Sequence, residues 1–161
     1  MTARLLLRPP VLADVPALFA FLGDAAAMRL THTDATPQVC RRRILVHEWR
    51  RRRDLYAPWT VIERSTARII GWGGLYDDPF DPGWGVELAY FFHPDVWGRG
   101  YAGELTAAGL AVADALALPE VRSFAHPENT ASRRVLERAG FRVQRFVPQM
   151  QRWLYVRPCV G

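Results

Sequence analysis

The chain has 161 residues, half of them hydrophobic, with a formal net charge of +5 and a pI near 9.9. A chain of this size can bury about two thirds of its unfolded surface in one core without disulfides or a structural metal, so one domain over residues 1–161 is expected. The two cysteines, Cys40 and Cys159, lack metal-ligand spacing and argue against a disulfide framework, which suits a reducing, cytoplasmic setting. No apolar run approaches the roughly 20 residues of a membrane span, and the short run Leu5–Leu7 stops at Arg8-Pro9-Pro10, unlike a targeting signal.

In chain order, Arg4–Arg8 reads as a first strand and Asp14–Leu22 as a helix with Val15, Leu18, Phe19 and Leu22 on one side. Thr36-Pro37 pairs a favoured cap with proline at the first helical position, and the helix it opens should run to about Arg53, with Val39, Leu45, Val46 and Trp49 as a loose apolar stripe. Pro58–Arg64 and Ile69–Tyr76 read as an antiparallel hairpin turning at Ser65-Thr66, and Val86–Phe92 as the next strand. A helix carrying Leu105, Ala108, Gly109, Val112 and Leu116 on one stripe follows. Val121–Ala125 is a strand. Asn129 then caps a short helix whose apolar face is Ala131, Val135, Leu136 and Ala139, and Gly140 supplies its C-terminal cap. Phe141–Val147 and Arg152–Arg157 are the last strands, giving the order β-α-α-β-β-β-α-β-α-β-β with no repeat, linker or low-complexity tract.

The turn Trp97-Gly98-Arg99-Gly100-Tyr101-Ala102 between a strand and a helix carries most of the functional information. Its glycines permit positive φ and present no Cβ to an approaching ligand. The helix that follows opens with unpaired N–H groups and about half a positive charge, which together stabilise an anion such as a pyrophosphate. Glycines before a helix are also ordinary loop punctuation, so this turn alone leaves the ligand open.

A second segment, Asn129 to Phe141, narrows it. The two segments resemble the paired core motifs of the GNAT acyl-CoA N-acyltransferases, and most closely the subgroup typified by ribosomal-protein N-terminal acetyltransferases. In that subgroup W-G-x-G-Y-A is followed by N-x-x-S-x-x-x-L-x-x-x-G-F, matched here by Trp97–Ala102 and Asn129–Phe141. The resemblance is sharp over residues 86–141 and weaker but consistent from Leu5 onward. It implies an α/β (α+β) GNAT fold, a mixed and mainly antiparallel seven-stranded sheet flanked by about four helices, and acetyl-CoA as cosubstrate. By the same resemblance, Trp97, Gly98, Arg99, Gly100, Tyr101, Ala102 and Gly103 would hold the diphosphate. Phe91, Phe92 and His93 would line the pantetheine slot, although His93 before Pro94 also reads as structural. Asn129 would bond a pantetheine amide while capping its helix, and Ser132 would lie at the thioester. Among Arg99, Arg133 and Arg134, guanidinium forks suited to a ribose phosphate, Arg99 is preferred and Arg134 kept as a second.

Amide formation from a thioester requires an uncharged amine, a donor for the developing oxyanion and a proton for the departing thiolate. Glu87 resembles the strand glutamate that serves as base in some members of the family; read from its position alone, it could equally be a solvated carboxylate on a half-exposed strand, paired with an arginine. A main-chain N–H near Phe92 would serve the oxyanion. Many members protonate the thiolate with a tyrosine seven residues after the asparagine, but that position here is Leu136. Ser132 would bond the sulfur or relay a proton, unless it is only a polar residue of the first helical turn.

The acceptor would be gripped by the first two helices, the loop before Val86 and the last strands. Asp77, Asp78 and Asp81 beside Trp72 and Trp84 suit a cationic amine, though such residues also simply make turns. Arg41–Arg43 and Arg50–Arg53 could attract an acidic protein or nucleic acid or be a solvated helix face, and His32 could touch substrate. The basic residues lack the interleaved aromatics of a nucleic-acid stacking platform. The first expectation is acetyl transfer to a protein or peptide N-terminal α-amine. A polyamine or aminoglycoside acceptor is the second, and a non-catalytic acyl-CoA sensor or a ribosome-binding module are the alternatives of other classes. A homodimer through the sheet edge or last strands is compatible with the pattern.

Overall fold

A computed structural model describes residues 2–159. Its strands are β1 (Leu5–Arg8), β2 (Trp59–Glu63), β3 (Arg68–Asp77), β4 (Val86–Phe92), β5 (Glu120–Ala125), β6 (Arg142–Val147) and β7 (Arg152–Pro158). Its helices are α1 (Val15–Leu22), α2 (Pro37–Asp54), α3 (Tyr101–Ala115) and α4 (Thr130–Arg138), with short 3-10 turns at Leu12–Asp14 and Pro94–Val96. The expected order of strands and helices is observed. All seven strands form one sheet, in the order β1-β2-β3-β4-β5-β7-β6, antiparallel everywhere except between β4 and β5.

The local signals act as their chemistry requires. Thr36 Oγ1 accepts the Val39 N–H (3.2 Å) with Pro37 at the first helical position of α2, and Asn129 Oδ1 accepts the Ser132 N–H (3.1 Å) at the start of α4. Gly140 follows α4 at φ +87°. On α3, a Cβ at Gly109 would come 2.8 Å from Leu88 Cδ1, so glycine lets this helix lie directly on β4. Cores form on both sides of the sheet. Leu75, Leu88, Leu110, Val121 and Leu136 pack under α3 and α4, while Leu18, Phe21, Cys40, Ile44 and Trp72 pack under α1 and α2.

One helix face differs from expectation. Of the expected stripe on α2, Val46 is half-buried while Val39, Leu45 and Trp49 are exposed, Trp49 to 68%, and the buried face is Cys40, Ile44 and His47. Both sets recur at helical spacing; the polar appearance of Cys and His hid the one that packs. Among the described residues no helix is long and apolar enough to cross a membrane.

The site is positioned by the seam between β4 and β5. Only Glu87 and Arg122 stand in register there, and beyond them the parallel strands part. His93 N donates to Ile70 O (2.8 Å), so by strand alternation the main-chain groups of Tyr90 and Phe92 point away from β3 and into the fork. The outward carbonyls confirm this parity: Phe92 O accepts from Trp97 Nε1 (2.9 Å) and Leu88 O accepts from Ser123 Oγ (2.8 Å).

Candidate active site

The turn after β4 is shaped and braced by its own residues. Gly98 and Gly100 take φ of +76° and +81°, and a Cβ placed on Gly98 or Gly103 would meet nothing within 4 Å. Among the described residues, the amides of Gly98 through Gly103 have no hydrogen-bond acceptor, which leaves a row of donors at the mouth of α3. Arg4, just before β1, clamps the turn, donating to Arg99 O (2.8 Å) and Glu104 Oε2 (2.8 Å) while lying 4.6 Å over the Tyr101 ring. Tyr101 Oη donates to Glu63 Oε1 (2.5 Å). Such a cradle fits a diphosphate held by main-chain groups at a helix N-terminus.

The fork opens into two cavities. One, of about 560 Å³, is lined by Trp97, Gly98, Gly100, Tyr101 and Ala102 of the turn, by Arg134, Val135 and Arg138 of α4, and by the segment Ala26–Thr31. The other, of about 510 Å³, is lined by Val39, Arg42 and Arg43 of α2, by Asp78, Phe80 and Asp81, by Glu87, and by Met150 and Arg152. Each is of the size that holds a small ligand. Leu30, Thr31, Tyr90, Phe91, Asn129 and Ser132 line both, so the cavities meet at the fork.

At that junction Tyr90 Oη and Ser132 Oγ are 2.9 Å apart, and Tyr90 Oη also lies 3.2 Å from Ser132 O. Burial pushes the Tyr90 phenol up to about 12, which keeps it protonated. Leu136 is fully buried in the core. Arg133, next to Ser132, is occupied elsewhere, its Nε donating to Tyr155 Oη (3.0 Å).

On the other side of the junction Glu87 is 5% exposed, which rules out the solvated reading. No arginine pairs with it among the described residues. Arg122, its neighbour in register, turns to Glu120 Oε1 (2.8 Å) and Trp84 O (2.7 Å). Glu87 Oε2 instead accepts from Tyr76 Oη (3.2 Å) across the β3–β4 ladder. Its carboxyl is pushed up to about 8, chiefly by burial and then by the nearby charge of Asp78, while the Tyr76 hydrogen bond works in the opposite direction. Behind the pair lies His47, in edge contact with the rings of Trp72 and Tyr76 at 5.4 Å each. Burial, followed by the charges of Arg43, Arg50 and Arg51, pushes this imidazole down to about 3, so it is neutral.

Several expected residues stand elsewhere. Arg99 does not line the cavity: its guanidinium is half-exposed, 3.6 Å from Glu63, because the positive-φ turn directs it outward. Arg134 does line it, joined by Arg138 and Arg29, which carried no local signal. His93 is turned away too; its Nδ1 accepts the Asp95 N–H (3.2 Å) and its ring meets Phe21. Gly103 lies just inside α3, outside the cavity lining but with its amide free. Of the acceptor cluster, Asp78 and Asp81 line the cavity whereas Asp77 faces Arg50 (3.6 Å). Trp72 is buried, Trp84 donates to Asp81 (3.2 Å), and the aromatic wall is Phe80. His32 lines the cavity 3.3 Å from Asp34, which also holds Arg43 at 2.7 Å. Tyr90, Tyr76 and Arg152 were missed. Their only signals were alternation along β4, the cross-strand position opposite Glu87, and a start at β7.

A seven-stranded sheet split between two parallel strands, with a main-chain anion cradle beside the split, defines a class of acyl-CoA-binding fold. The description "Acetyltransferase (GNAT) domain" matches residues 4–142, and the chain belongs to the GNAT acetyltransferase family. It is an acyl-CoA-dependent N-acetyltransferase, with acetyl-CoA as cosubstrate. Among solved structures it is similar to a GNAT-family acetyltransferase from Bacillus anthracis, at 20% identity and a TM-score of 0.79, covering 98% of this chain and 96% of that one. A ribosomal-protein-S5-alanine acetyltransferase from Vibrio fischeri matches at 15% identity and 0.75, covering 99% and 95%. A phosphinothricin acetyltransferase from Sinorhizobium meliloti, solved with acetyl-CoA, matches at 16% identity and 0.76, covering 99% and 89%. At these identities the likeness is one of fold.

Proposed function

We propose that this single-domain enzyme acetylates the α-amine of a protein or peptide N-terminus, with the donor entering from the cavity beside Gly98–Gly103 and the amine from the cavity beside Glu87. The observation that carries this reading is the meeting of the two cavities at Tyr90, Asn129 and Ser132, with Glu87 on the acceptor side only. The free amides of Gly98–Gly103 would bind the diphosphate, and Arg134 would meet a further phosphate. Asn129 and Phe91 would line the pantetheine path, and the Tyr90 and Phe92 amides face where an oxyanion would form.

Glu87 is the base. With its carboxyl near pH 8, it sits beside the range of about 7.7–8.0 at which an α-amine titrates, so proton transfer between them is nearly balanced. Asp78 and Asp81 would draw the ammonium form to the cavity. A small polyamine or aminoglycoside is the second reading, favoured by the same three carboxylates lining one cavity. Such an enzyme, with free thiols at Cys40 and Cys159, suits the cytoplasm. The test is thiol release from acetyl-CoA with free peptides, the same peptides blocked at the α-amine, polyamines and aminoglycosides. Turnover is expected with free peptides and none with blocked ones; silence across the panel with coenzyme A still bound would make the protein a sensor.

A further inference from the structure

We propose that Tyr90 is the acid that protonates the sulfur leaving the thioester, brought to the reaction from strand β4 because α4 carries Leu136, not a tyrosine, one turn beyond Ser132. The proposal rests on the acetyl-transfer reading above. Three observations converge on it. Tyr90 lines both cavities, so its hydroxyl stands where donor and acceptor must meet. Among the described residues its hydrogen-bond partners are both on Ser132, the carbonyl at 3.2 Å and Oγ at 2.9 Å, so a short turn of the phenol O–H away from that carbonyl would aim it at a ligand in the junction. Leu136, at the position where the family pattern places a tyrosine, is fully buried and has no proton to give.

The step balances without a further reactant. The amine nitrogen bonds to the carbonyl carbon as Glu87 accepts a proton from nitrogen. The carbon–sulfur bond breaks with its electron pair on sulfur, which takes the phenolic proton of Tyr90. The Tyr90 oxygen recovers a proton through the Ser132 hydroxyl and Glu87 releases one to solvent, so the net change moves one proton from amine to thiol. Ser132 is then a positioning residue that holds the phenol and passes it a proton. Burial keeps Tyr90 protonated up to about pH 12, so the acid is loaded at any working pH.

The experiment compares wild type, Tyr90→Phe, Ser132→Ala and the double variant by thiol release, with melting curves to establish folding. It also follows the thiol-to-thiolate absorbance of bound coenzyme A against pH. Tyr90→Phe should lower kcat by about 10²-fold or more with KM for acetyl-CoA little changed. Ser132→Ala should lose less, and the double variant should be no worse than Tyr90→Phe, because both act through one proton. Bound coenzyme A should ionise at a higher pH in Tyr90→Phe than in wild type, since the phenol no longer donates to its sulfur. Near-wild-type turnover by Tyr90→Phe, a deeper loss in Ser132→Ala, or an unchanged thiol titration would each overturn the proposal while leaving acetyl transfer standing. If wild type releases no thiol with any acceptor, the functional reading fails, and the coenzyme titration still decides whether Tyr90 meets the sulfur.

Discussion

The two cavities are built in different ways. The one beside α3 has a main-chain end, a row of free amides with two glycines at positive φ at the start of a helix, joined to side chains of α4 and of residues 26–31. The one beside α2 is made of side chains drawn from α2, the loop after β3, β4 and β7. A main-chain site is fixed by local conformation and tolerates change only where a Cβ fits, whereas a side-chain site can be re-tailored at each position. That contrast suits a domain whose donor is constant while acceptors differ between relatives.

The largest expected break in this comparison is at Glu87. Glu87→Gln should lower kcat by about 10²–10⁴-fold and abolish the rise in rate as pH passes through about 8, measured as thiol release against pH. The same variant should be more stable than wild type at alkaline pH. Folded Glu87 holds its proton up to about 8 while the unfolded chain loses it near the ordinary 4.5, so wild-type stability falls as pH rises between these values. Melting curves across that window should show the slope in wild type and not in Glu87→Gln. A parallel slope in both would mean the carboxyl is not buried as described.

On the other side, Gly98→Val should weaken coenzyme A binding by roughly tenfold or more by calorimetry, since a side chain at φ +76° costs about 1–2 kcal/mol and obstructs the amide row. Turnover at saturating donor should change much less, the signature of a binding defect.

The arginines sharpen the contrast at smaller scale. Arg134→Ala should raise the Kd for coenzyme A several-fold and reduce its salt dependence, while Arg99→Ala, outside the cavity, should leave both near wild type. Equal effects would place the ribose phosphate on the outer side of the turn.

The smallest expected effect is acid sensitivity of the floor under the acceptor cavity. His47 stays neutral in the fold down to about pH 3, while the unfolded chain takes up a proton below about 6.5, so stability drains away as pH falls between these values. His47→Gln should flatten that acid limb in melting experiments.

The same division explains what could be read before the fold was seen. Strand and helix order, the caps at Thr36, Asn129 and Gly140 and the Gly98–Gly100 turn depend on neighbours in sequence, so they were legible. The buried face of α2 was not, because Cys40 and His47 pack as apolar groups only when Trp72 and Tyr76 lie beneath them. Glu87 was ambiguous for a similar reason: its hydrogen-bond partner Tyr76 lies across the β3–β4 ladder, and the charges that act on it come from Asp77, Asp78 and Asp81, at the end of β3 and in the loop that follows it. Tyr90 carried no motif of its own; its importance arises where β4 leaves β5 and meets α4. Arg99's place in the motif is fixed, while its direction, outward toward Glu63, is set by backbone dihedrals that a motif does not display.

The most direct measurement is a crystal structure with coenzyme A. The expected result is the diphosphate on the Gly98–Gly103 amides and the sulfur at the Tyr90–Ser132 junction, with the cavity beside Glu87 left open to an amine. A coenzyme whose sulfur lies away from that junction, or whose diphosphate bypasses the amide row, would contradict the two-sided site.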